Sequence, residues 1–168
     1  LLAPKGAKAV VVMSTGLFNG RGGQEGSLDE AAKDLAKDGI ASVRFDFRNV
    51  DSTLKDFHKL SVSDEIEDLS AVLRFAGKKF DKIGVLGYSL GGYVFARNYS
   101  KRISAAVLWS PVLEGKTTST SLGSLTDEQK KELKRKGRIP FERPRTGKRY
   151  FLGRKLVEEF LAIDGKPH

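Results

Sequence analysis

At 168 residues the chain is long enough for one domain with a sizeable core and short for two. Hydrophobic residues make up 39% and charged residues 30%, an ordinary balance for a folded soluble protein that argues against wholesale disorder. The absence of cysteine excludes disulfides, thiolate metal sites and cysteine nucleophiles. The two histidines, His58 and His168, are too few and too far apart for a zinc site of familiar spacing, so neither metal nor other cofactor is expected. No run of about 18 apolar residues provides a membrane span. Leu1 to Lys5 carries no signal-peptide pattern, and the absence of cysteine fits a cytoplasmic protein. The chain does not begin with Met, which suggests processing or a start inside a longer protein. The net charge of +9 is local. Residues 115–155 hold 13 Lys/Arg and 4 Asp/Glu, and the remainder has 17 of each.

Ala9 to Met13 is a short apolar run of the kind a buried parallel strand needs. A glycine-rich loop follows, from Gly16 to Gly26. Ser27-Leu-Asp-Glu30 has the spacing of a capping box that opens a helix ending near Gly39. Ile40 to Phe47 reads as a second strand. Ile66, Leu69, Val72, Leu73, Phe75 and Ala76 give residues 63–76 one apolar stripe, which predicts a helix. Lys82 to Gly87 is a third strand, Gly91 to Tyr99 a helix, and Ala105 to Trp109 a fourth strand. Strands alternating with helices imply an α/β fold with a parallel sheet flanked by helices. Composition then shifts. Gly115 to Leu125 is rich in Gly, Ser and Thr, and Thr126-Asp-Glu-Gln129 is a second capping-box pattern, opening a charged helix that ends near Gly137. Residues 138–150 are basic and contain Pro140 and Pro144, and Gly153 to Ile163 reads as helix. Residues 1–168 are therefore taken as one domain, with 115–152 a basic cap or lid insertion over the sheet edge.

The stretch that carries chemistry is Gly87-Tyr-Ser-Leu-Gly91-Gly92, a G-x-S-x-G pattern between a strand and a helix. A serine on so sharp a turn sits in strained backbone geometry. The residues two before and two after it approach closely, and Gly87 and Gly91 remove the side chains that would clash. The turn lifts the hydroxyl above the sheet. The following helix aims its N-terminus at the site, where it favours developing negative charge. The bland alternative is a plain strand-to-helix turn with an incidental serine.

On this motif, together with the first strand and its glycine loop, Arg44-Phe-Asp-Phe-Arg48 and Val107-Leu-Trp-Ser-Pro111, residues 9–163 resemble the α/β-hydrolase superfamily. They look closest to the branch of serine aminopeptidase-like hydrolases, monoacylglycerol lipases and small-ester esterases. The resemblance implies an acyl-enzyme on Ser89, a histidine base and an Asp or Glu that orients it. It implies an oxyanion hole made by the backbone N–H of Leu90 and that of Leu17, in Thr15-Gly16-Leu17, where relatives often carry His-Gly. The family order places the acid after the next strand and the histidine later still, and it usually has eight strands. The chain thus resembles the central slab of the fold, with the triad acid and histidine unassigned. His168, four residues after Asp164, and His58 are weak candidates for the base. Asp46 and Asp51, near strand ends, read as structural or turn residues.

Two functions follow, a serine hydrolase acting on a carboxylic ester or related small acyl compound, or a catalytically silent scaffold of this fold that binds a ligand or partner. Without an adjacent base a serine hydroxyl is a poor nucleophile, so the second reading stays open. The tract Lys130-Lys131, Lys134 to Arg138 and Arg143-Pro-Arg145 reads as a solvated cap surface or a lid that recruits anionic substrates. Nucleic-acid binding is disfavoured because few aromatics interleave with these charges, apart from Phe141, Tyr150 and Phe151. In Asn19 to Gly26 the glycines at 20 and 22 fit a dinucleotide-binding spacing, but position 25 is Glu25, and no P-loop lysine follows. An unpaired sheet edge, where later strands would dock, predicts self-association.

Overall fold

A computed structural model describes residues 1–50, 56–116, 125–143 and 146–164. The chain forms two compact units, one of residues 1–47 and 66–111, the other of residues 48–65 and 112–168.

The first unit is built on a four-stranded parallel sheet in the order β2-β1-β3-β4, with β1 Ala9–Ser14, β2 Ala41–Arg44, β3 Lys82–Tyr88 and β4 Ile103–Trp109. All three pairings are parallel, and in the central one Val10 lies opposite Ile83 and Ser14 opposite Gly87. The crossovers are helices: α1 Ser27–Lys37, α2 Val62–Gly77 and α3 Leu90–Arg97. The apolar run of β1 is explained by this position. Val10, Val12 and Met13 are all buried because neighbours pair on both sides and side chains leave both faces. On one face Met13 packs with Leu28 and Ala32 of α1, and partly buried Val11, Leu35 and Leu86 extend the cluster. Each such fully buried aliphatic side chain contributes about 1.5–3 kcal/mol. Asn98, just after α3, donates to the carbonyls of Ile66 in α2 and Val94 in α3, both at 3.0 Å.

The two sheet edges differ. Beside β2, Leu2 forms an antiparallel bridge to Ser42, with N–H···O distances of 2.9 and 2.8 Å. Beside β4 no strand pairs among the described residues, and Ser104 to Ser110 are all exposed, Val107 at 57% and Trp109 at 55%.

Two local expectations need correction. No capping box opens α1. Its N-cap is Gly26, at φ 82°, and no side chain caps it. A 3-10 turn, Gln24–Gly26, runs straight into the helix, and the Gly22 carbonyl takes the Leu28 N–H at 3.0 Å, so Ser27 is not needed as a cap. The helix does stop where expected. Gly39, at φ 73°, allows the Ile40 N–H to reach the Leu35 carbonyl and the Gly39 N–H that of Ala36.

The second correction lies in the other unit, where the basic stretch after residue 137 contains an antiparallel hairpin. It pairs β5 Arg138–Glu142 with β6 Arg149–Gly153, between α4 Asp127–Lys136 and α5 Arg154–Leu161. Alternation is present in both strands: Ile139, Tyr150 and Leu152 are buried, whereas Arg138, Pro140, Arg149 and Phe151 are exposed. Pro140 fits because it sits on a two-stranded ribbon, which has free edges. Phe57 packs on Tyr150 at 5.2 Å between ring centroids, and Leu156, Val157 and Phe160 of α5 are buried as well.

The Thr126 capping box forms as expected: Thr126 accepts from the Gln129 N–H, and Gln129 from that of Thr126. At the other end of α4 the guanidinium of Arg154 donates to the carbonyls of Leu133 and Lys134. The Lys136 ammonium, hydrogen-bonded to Glu132, holds that carboxyl below its ordinary pKa. Glu159 accepts from the N–H and hydroxyl of Ser63 at 2.8 and 2.9 Å, closing the first turn of α2.

Candidate active site

β3 ends at Tyr88, α3 begins at Leu90, and Ser89 alone makes the turn between them, at φ 55° and ψ −121°. Positive φ is uncommon for a non-glycine residue, and this ψ lies far from the left-handed helical well that tolerates some. Two hydrogen bonds of 3.0 Å hold the conformation, from the Ser89 N–H to the Trp109 carbonyl and from the Gly92 N–H to the Ser89 carbonyl.

The glycines around it are dictated by space. A Cβ on Gly87 would lie 2.6 Å from the Phe95 ring, 2.7 Å from the Gly92 Cα and 2.8 Å from the Gly91 carbonyl oxygen. A Cβ on Gly91 would collide with Ser14 and with the Thr15 carbonyl at the end of β1. Two further glycines are under the same constraint and do not belong to the five-residue pattern. Gly92 backs onto Pro111, whose Cβ would be 2.8 Å from a side chain there. Gly16 backs onto Ser89 itself: a Cβ there would lie 2.8 Å from the Ser89 Cβ and 3.2 Å from its Oγ. The doubled glycine at 91–92 and the Ser-Pro pair at 110–111 were the sequence signals for the first, and nothing local signalled the second.

Gly16 therefore brings the loop after β1 against the serine. The loop turns at Gly16–Asn19, with Asn19 N–H to Gly16 carbonyl at 3.2 Å and Phe18 at φ 73°. Thr15, in the place where relatives often have histidine, is buried and gives its hydroxyl to the Asn19 carbonyl at 2.9 Å. It thus stabilises the turn. The N–H of Leu17 has no hydrogen-bond partner among the described residues. Leu90 is the first residue of α3, where helical N–H groups have no intrahelical acceptor. The Ser89 hydroxyl, partly exposed, likewise has no hydrogen-bond partner among the described residues, so none of them stands beside it as a base.

A cavity of about 300 Å³ opens at the same end of the sheet, lined by Thr15, Gln24, Leu28, Glu30, Tyr88 and Trp109, among others. The Tyr88 and Trp109 rings meet at 5.3 Å between centroids and form one wall.

The remaining candidates lie elsewhere or hold other partners. Asp46 accepts the Arg21 N–H at 2.6 Å and faces its guanidinium at 3.8 Å, which anchors the glycine loop to the end of β2. Asp29 leans on Gly22 and pairs with Arg44. His58 belongs to the second unit, in a 3-10 turn Phe57–Lys59 whose His58 carbonyl packs on Gly153. Asp51 and His168 lie outside the described residues. No group of three or more His, Asp or Glu side chains among the described residues is arranged to hold a metal ion.

Residues 6–146 match the family model of serine aminopeptidase, S33. The chain belongs to this hydrolase family. Solved structures of α/β-hydrolases share its fold. A protein from Agrobacterium vitis S4, provisionally assigned as a hydrolase, superimposes with a TM-score of 0.77 at 21% identity, over 95% of this chain and 63% of its own. Est1E from Butyrivibrio proteoclasticus, solved with ferulic acid, gives 0.69 at 19% identity, over 96% and 65%. The monoacylglycerol lipase of Paleococcus ferrophilus gives 0.62 at 17%, over 95% and 66%. The S33-family chain thus spans a little under two thirds of these relatives. No curated protein matches it in sequence. No helix among the described residues is long and apolar enough to cross a membrane.

Proposed function

We propose that this chain is the nucleophile-bearing part of a serine hydrolase that cleaves a carboxylic ester or related small acyl compound. The observation that carries this reading is the backbone of Ser89, held at φ 55° and ψ −121° by glycines that have no room for a side chain. Strain of this kind is retained at functional sites because it presents a group that a relaxed turn would not. In the reaction the Ser89 Oγ attacks the acyl carbon as its proton passes to a base, and the carbonyl electrons move to oxygen. Their return breaks the bond to the leaving group, which departs as alcohol or amine with the base's proton. Water then attacks the acyl-enzyme in the same way to release the acid and restore the serine. The N–H groups of Leu17 and Leu90 stabilise the oxyanion, and such a donor is worth about 3–4 kcal/mol of barrier. The cavity walled by Tyr88 and Trp109 receives part of the substrate, and residues 115–152 serve as a cap. The names of Est1E and the monoacylglycerol lipase support an ester over other acyl compounds. The reaction needs no cofactor, and a cytoplasmic setting suits it.

The Ser89 hydroxyl, without a hydrogen-bond partner among the described residues, favours a second reading, a catalytically silent scaffold. Intact mass before and after a fluorophosphonate probe separates the two. One added probe, absent in Ser89→Ala, is the expected result. No labelling of the native chain would favour the silent scaffold. The bare edge of β4 also fits pairing with a second copy, which sedimentation over a range of concentrations would detect as a dimer.

A further inference from the structure

The second unit carries a charge arrangement that hydrolysis does not use. In α4, Leu133 is buried, and the opposite side presents Lys131, Lys134 and Arg135, all exposed. Spacing of three and four residues puts them on one face, and Arg138, the first residue of β5, continues it. None of Lys131, Lys134 and Arg135 enters an ion pair among the described residues. Three nearby carboxylates are already engaged: Asp127 with Lys130 at 3.0 Å, Glu132 with Lys136 at 2.6 Å, and Glu142 with Arg149 at 3.3 Å. Glu128, exposed one turn before Lys131, is the carboxylate left to offset the three cations, so the face keeps a net positive charge. It also carries one large apolar group, Phe151, 48% exposed, with the Arg138 guanidinium 4.7 Å above its ring.

We propose that this face docks on an anionic lipid surface. Exposed cations flanking an aromatic ring on a short helix and hairpin suit the headgroup zone. There the ammonium and guanidinium groups meet phosphates and carboxylates, and the ring enters the acyl boundary. A single-stranded nucleic acid fits less well, because binding of that kind depends on successive free aromatic platforms. Among the described residues of this face, Phe151 is the one large exposed ring, so no series of platforms is present.

The test is sedimentation of the full chain with phosphatidylcholine vesicles, with and without phosphatidylserine, at low and high salt. Binding is expected only with phosphatidylserine, and it should weaken as salt rises. Lys131→Gln/Lys134→Gln/Arg135→Gln, a helix-compatible variant, should reduce partitioning at least tenfold, since each cation near such a surface contributes about 1 kcal/mol. Phe151→Ala should reduce it several-fold. Lys5→Gln/Lys8→Gln/Lys33→Gln makes the same change in net charge elsewhere and should bind like the native chain. No binding to phosphatidylserine vesicles at low salt would overturn the proposal. So would equal losses in the two triple variants, or binding of a single-stranded DNA oligonucleotide without vesicle binding. None of these readouts involves Ser89.

Discussion

Replacing Ser89 with glycine will stabilise the first unit while removing the proposed nucleophile. At φ 55° and ψ −121° the residue occupies the position of the first central residue of a type II′ turn, where glycine is the usual occupant. Holding a side chain in such a conformation costs about 1–3 kcal/mol. Glycine removes that cost but makes the unfolded chain more flexible, by about 0.5–1 kcal/mol. The proper reference is Ser89→Ala, which also lacks the hydroxyl but keeps the Cβ and therefore the strain. Ser89→Gly is thus expected to exceed Ser89→Ala by about 0.5–2 kcal/mol. Each kcal/mol moves a urea midpoint by about 0.3–1 M. Trp109 is the sole tryptophan and lies in the same unit, its ring tilted against that of Tyr88, so its fluorescence follows the unfolding that matters. Circular dichroism would mix in the second unit. If Ser89→Gly is no more stable than Ser89→Ala, the turn is not strained, and the argument from backbone geometry to a functional serine fails.

Gly87→Ala places a methyl against one ring carbon and two backbone atoms, none of which moves alone, so a loss of about 2–3 kcal/mol is expected in the same urea titration. Arg154→Ala removes the groups that hold the last carbonyls of α4, at 3.2 Å for the Leu133 carbonyl. A loss of about 1–2 kcal/mol is expected, with protease sensitivity appearing near Gly137 and urea unfolding followed by circular dichroism.

Much of the fold was legible in the sequence, because local patterns and long-range burial agree there. The run Ala9 to Met13 is apolar throughout because it is a central parallel strand, and the glycine spacing at 87 and 91 leaves few alternatives to a sharp turn. Where pattern and structure parted, tertiary contacts had decided. Ser27 has the residue type of a cap, yet the Gly22 carbonyl arrives first from the preceding turn. The hairpin after Gly137 alternates correctly, but its charges and Pro140 masked it until Ile139, Tyr150 and Leu152 found a core to fill.

Of the candidate site, the sequence by itself offered Ser89 and its flanking glycines, since these follow from the space available at one turn, whereas the oxyanion candidates Leu17 and Leu90 came from the resemblance to α/β-hydrolases. It could not determine that Gly16 abuts Ser89, that Tyr88 and Trp109 share a wall, or that Asp46 is held by Arg21. Those relations join residues up to about seventy positions apart. Only the pairing of β1 with β2 and β3, and of β3 with β4, sets their distances, because strand register is a property of the sheet and not of any one segment.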